Sequence, residues 1–153
     1  MAGVRRGLAD REPGGPPVTY HWAAVVHDQA GLDAVMGARV RPVMLRIDTR
    51  PSVLIRLHLR RSWLPFAVTV CHDSLVNVIA PDGTRATISA VDSSRVSVAG
   101  DVLVGAHGLA SVIAAAGARV IVNDLATCVR SDSTVFAHQA SERAFIVDSF
   151  PED

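Results

Sequence analysis

Arg56, His58 and Arg60 alternate along one short stretch of this chain, with Arg46 and Arg61 close to it in sequence. On a strand, alternation carries all three of the first set to one face. A hairpin partner would bring Arg46 beside them. Seven arginines between positions 39 and 61 face one acid, Asp48. Guanidinium groups in such a row suit the phosphates of a nucleic acid or nucleotide. A solvated outer face kept soluble by charge is the plainer reading. Trp63 alone stands near enough to stack a base.

A second group, Cys71-His72-Asp73-Ser74, holds a nucleophile, a base and an acid. Neighbours on a strand point to opposite faces, which argues against a relay among them and for turn chemistry. A third, Asp92-Ser93-Ser94, reads either as a strand-to-helix turn carrying a phosphorylatable serine or as a hairpin tip. The six histidines include no HExxH motif and no Cys-His metal spacing, and no glycine-rich phosphate loop follows a strand. No catalytic residue, metal or cofactor is assigned.

The elements that must position these groups are expected as follows. Residues 1–17 end in Gly14-Gly15-Pro16-Pro17 and read as a flexible leader to a single domain over 18–153. Tyr20 to about Val40 carries apolar residues at helical spacing, so an N-terminal helix, or two short ones, is expected there. From Val40 the period becomes two, and the turn signals DTRPS, HDS and PDG divide 41–91 into an antiparallel meander of about five strands. Asp101 is a suitable N-cap for an alanine-rich helix over 101–116, with Gly117 as its stop. A short strand at ARVIVN, a partly helical stretch from Asp124 and a last strand at RAFIVDSF follow. No internal repeat is expected. The fold class is α+β, with the C-terminal helix-strand-helix-strand segment packed on one face of the sheet.

Within that frame, residues 84–149 resemble the later half of a STAS domain, the fold of anti-sigma-factor antagonists. The resemblance rests on ISAVDSS, GARVIVND, LATCV and AFIVDSF in the same order and at similar spacing. It implies that Asp92 orients the turn and that Ser93 or Ser94 accepts a phosphate from a partner kinase, breaking a protein contact by added charge. Arg95 stands where that family usually has glycine, and RVSVAG alternates like a strand.

Composition bounds the function. The chain is 49% hydrophobic and 20% charged with a net charge of zero, which excludes a global field for nucleic acid or membrane. All fifteen bases are arginine, and twelve of fifteen acids are aspartate. Cys71 and Cys128 are expected as free buried thiols in a cytoplasmic protein. The expectation is a non-catalytic regulatory or binding module with a protein partner, in which a homodimer would be unsurprising. Nucleic-acid or nucleotide binding on the arginine face is the alternative, and a small-molecule enzyme comes third.

Overall fold

Alternate apolar residues bury one face of an extended chain, and here that pattern runs nearly from end to end. A computed structural model describes residues 23–39, 42–60 and 67–151. Strand β1 (Ala23–Val26) is followed by the only helix among them, α1 (Gln29–Met36). Next come β2 (Met44–Ile47), β3 (Leu54–His58), β4 (Ala67–Val70), β5 (Leu75–Ala80), β6 (Ala86–Ala90) and β7 (Arg95–Gly100). The chain closes with β8 (Val102–Ala106), β9 (Ser111–Ala115), β10 (Arg119–Val122), β11 (Thr127–Arg130), β12 (Phe136–Gln139) and β13 (Phe145–Asp148).

From β2 onward successive strands belong to different sheets, whereas β1 and β2 are neighbours in one. One sheet runs β1-β2-β4-β6-β8-β10-β12 and the other β13-β11-β9-β7-β5-β3, and every pairing is parallel. Each coil therefore gives one strand to each sheet, and the whole is a two-sheet β-solenoid. Val26, Ile47 and Val70 show longer steps in the first coils, whereas Ile88, Val104 and Val120 stand in register at a step of sixteen residues in the central ones. Val96, Val112 and Cys128 repeat that step on the opposite sheet.

The core lies between the sheets as stacked columns of small and β-branched side chains. Val26, Ile47, Val70, Ala90, Ala106 and Val122 form one such column, all buried. In the first coil α1 takes the place of a strand. Asp28 caps it through Oδ1, which accepts the Gly31 N–H at 2.7 Å, and Leu32 is buried against the end of the core. The other end is finished differently. Arg130 follows Leu57, Val78, Val98 and Ala114 in an inward column, and there it pairs with Asp148 at 3.0 Å under the Phe150 ring.

Turns between sheets leave backbone groups that the strand ladders cannot reach, and carboxylates of the following coil accept them. Asp92 takes the His72 N–H at 2.8 Å and Asp124 the Gly108 N–H at 2.9 Å. At the opposite edge, Asp101 takes Gly83 at 3.0 Å and Asp132 takes Ala116 at 2.9 Å. The Ala116 N–H, with help from Thr134, holds the Asp132 carboxyl below the ordinary range. A lowered folded-state value means that this stabilisation is present above the ordinary carboxylate pKa. It is lost as pH falls through the lowered one.

Several expectations are corrected. The antiparallel meander is not formed, because HDS and VDSS carry the chain from one sheet to the other rather than back along the same one. The class is mainly β instead of α+β. The helix expected over 101–116 is two strands, β8 and β9, since Val102, Val104, Ala106, Ala110, Val112 and Ala114 are all buried at period two. The stretch after Asp124 forms β11 and β12, and the N-terminal helix is shortened to α1. A sixteen-residue repeat is present after all in the central coils, β6 to β11. The STAS resemblance fails at its decisive point, because Arg95–Gly100 is strand β7 and no α/β unit surrounds it. The leader, Trp22 and Trp63 lie outside the described residues.

Gly100 has φ +104, and a Cβ there would stand 1.7 Å from the Ala80 carbonyl oxygen. Gly100→Ala is expected to cost at least ~3 kcal/mol in denaturant unfolding. A second comparison separates two buried serines. Ser74 Oγ accepts the Thr49 N–H at 2.7 Å, whereas Ser94 Oγ is buried without a partner among the described residues. Ser74→Ala should cost about 1–3 kcal/mol, and Ser94→Ala should be neutral or stabilising. Alanine already occupies the matching place in the next coil at Ala110.

Candidate functional site

The replaced strand of the first coil creates a groove. β3 is the edge of its sheet, and Gln29 on α1 clips it: Gln29 Oε1 accepts the Arg56 N–H at 2.7 Å and Gln29 Nε2 donates to the Arg56 carbonyl at 3.0 Å. The glutamine amide thus stands in for a neighbouring strand and holds α1 beside the outward side chains of β3. Between them lies an open groove of about 820 Å³. Arg56, His58 and Arg60 form one wall, Asp33 and Met36 the other, and Leu59 and Ile79 contribute apolar surface. Arg56, His58 and Arg60 are exposed, and none makes an ion pair with an acid among the described residues.

Alternation therefore brings together Arg56, His58 and Arg60 as the sequence implies, but not Arg46. β2 and β3 form no hairpin and lie in different sheets, so Arg46 sits on the far sheet beside Cys71. Arg61 is outside the described residues. Asp92 is a backbone acceptor at a turn, Ser93 is exposed, and Ser94 is fully buried. A kinase could not reach Ser94 without opening the coil.

Around Cys71 the chain turns at His72–Asp73, but alternation does not separate the Cys71 and His72 side chains. His72 follows the end of β4 in a left-handed conformation, φ 54, so it does not alternate away from Cys71. Its Nδ1 lies 3.7 Å from Cys71 Sγ and 2.9 Å from Asp48 Oδ1, an acid one coil earlier. Asp48 was counted in sequence only as the lone acid among arginines. A signal existed: Asp48 and Cys71 both directly follow strands of one sheet, a relation visible only once the coil step is known. Asp73 is exposed, and Ser74 is a buried backbone clip.

This cluster is not a catalytic relay. In such a relay the acid and the nucleophile use opposite ring nitrogens, but here both meet at Nδ1. Burial also pushes the Cys71 thiol up, against the opposing pull of Arg46, with Asp48 and Asp92 adding to the rise. Burial pushes the Cys128 thiol up further, to about 11, while Arg130 pulls it back and Asp148 adds to the rise. Both are free thiols.

Fold and site together define a parallel β-solenoid protein with a cationic groove beside its N-terminal cap. The chain matches no family model, no curated protein and no solved structure.

Iodoacetamide at neutral pH should label neither thiol in the folded protein and both in denaturant. Rapid native labelling of Cys128, followed by mass spectrometry, would contradict the burial described here.

Proposed function

We propose that this chain is a non-catalytic binding module whose ligand surface is the Arg56–His58–Arg60 row, and that the ligand is a phosphate-bearing strand of single-stranded nucleic acid. The observation that carries the reading is the row itself: two guanidinium groups and an imidazole on one wall of one groove, unpaired by acids among the described residues. Alternate strand positions are roughly 6.6 Å apart, so the three groups form a linear track and not a pocket for one small anion. Planar guanidinium forks favour phosphate oxygens. The rigidity of the solenoid supports the same reading, because β3 is fixed by β5 on one side and by Gln29 on the other.

Among the described residues the groove walls include no phenylalanine, tyrosine or tryptophan, which favours backbone contact over base reading. A neutral net charge confines attraction to this face. Asp33 on the opposite wall opposes an anion and limits how deeply it enters.

A fluorescently labelled single-stranded oligonucleotide, titrated at several salt concentrations, tests the reading. Two arginine–phosphate contacts give a log–log salt slope of about −1.4. Arg56→Ala/Arg60→Ala should abolish binding, and Asp33→Asn should strengthen it. Binding that ignores salt, or that survives the double substitution, would refute it.

A further inference from the structure

We propose that Asp48 Oδ1, Cys71 Sγ and His72 Nδ1 form a binding site for a divalent transition-metal ion of the zinc class. The three donor atoms lie within 4.8 Å of one another, with 2.9 Å between Oδ1 and Nδ1 and 3.7 Å between Sγ and Nδ1. Ligand bonds of about 2.0–2.3 Å in a tetrahedron place donors roughly 3.3–3.8 Å apart. The Cys71–His72 pair meets that spacing, the Asp48–His72 contact must open by a few tenths of an ångström, and the Asp48–Cys71 pair, within 4.8 Å, draws together as the ion binds.

The donor set decides the class of ion. One thiol, one imidazole and one carboxylate suit zinc and its neighbours, whereas magnesium and calcium take oxygen alone. Neighbouring groups hold two of the ligands in place. His27 lies within hydrogen-bond distance of the Asp48 carbonyl, 2.8 Å from Nδ1, and Asp92 fixes the His72 backbone through its N–H. The His72 side chain is 58% exposed, which gives an ion a way in from solvent and leaves a fourth position for water.

Binding has a proton balance. The Cys71 thiol gives its proton to the buffer, and the proton that Nδ1 shares with Asp48 moves to Nε2 as Nδ1 becomes a ligand. Arg46 opposes the cation and must swing outward, which its exposed position on β2 permits. Because Asp48 follows β2 and Cys71 follows β4, the ion would clip two adjacent strands of one sheet from outside the core. The site is independent of the arginine groove, which lies on the other sheet.

The test is titration of the whole chain with Co²⁺ as the spectroscopic probe. A thiolate-to-cobalt charge-transfer band should saturate at one ion per chain and be bleached by Zn²⁺. Cys71→Ser should abolish the band, His72→Asn and Asp48→Asn should each weaken Co²⁺ binding at least ~tenfold, and Cys128→Ser should leave it unchanged. Should Cys71→Ser fail to fold by circular dichroism, the two surface substitutions decide. No band in excess Co²⁺, a band that survives Cys71→Ser, or full affinity in both surface variants would overturn the assignment.

Discussion

Each turn between the sheets closes one hydrogen bond of its own, as Ser74 N–H does to Cys71 and Ser94 N–H to Val91. It leaves a further N–H that no carbonyl of the turn reaches, and much else in this structure depends on how that group is met. Other turn N–H groups reach carbonyls of the preceding coil, as Ser93 does to His72 and Leu109 to Asp92, and the one left over looks to the next coil for its acceptor. Aspartate does this at both edges, through Asp92 and Asp124 on one and Asp101 and Asp132 on the other. One methylene places the carboxylate within reach of a backbone N–H one coil away. The strong preference for aspartate over glutamate in this chain thus has a structural side beyond any coding bias. Several of the residues so held are left-handed, His72, Gly108 and Ala116 among them, and their strain is offset by a charge-assisted hydrogen bond.

The same constraint explains why the groove is where it is. A solenoid must end somewhere, and its first strand edge would expose unpaired N–H and C=O groups. Replacing one strand with α1 covers that edge and buries Leu32, but a helix is wider than a strand and cannot lie flush on β3. The gap left between them is lined by the outward residues of β3, which happen to be arginine and histidine. At the other end of the described residues, the half-buried Arg130–Asp148 pair and Phe150 follow the core column, so a partly exposed ion pair closes what the helix closes at the start.

Much of the strand content was legible in the sequence. Leu54–His58, Leu75–Ala80, Arg119–Val122 and Phe145–Asp148 each show the alternation or short apolar run that a strand needs. Alternation reports burial of one face and says nothing of strand direction, so parallel coils and an antiparallel meander look alike locally. The segment 101–116 was misleading because alanine is both a good helix former and the residue that a narrow inter-sheet space requires. The repeat was hidden by its own chemistry, since valine, alanine and isoleucine interchange at stacked positions without leaving an identical motif. For the site, the Arg56–His58–Arg60 face followed from period two. The meeting of His72 with Cys71 and Asp48 did not, because it needs a left-handed residue and a contact between coils.

The sixteen-residue step has a consequence for how this chain can vary in length. Removing or adding one residue inside a strand would turn the later inward side chains of that strand outward, from valine to arginine or serine. Removing or adding sixteen would keep each column intact, because Val96 would be replaced by Val112 and Ile88 by Val104 with their caps and neighbours. The molecule is in this sense modular along its axis, with its specialised groups confined to the first coils and its middle free to be lengthened or shortened.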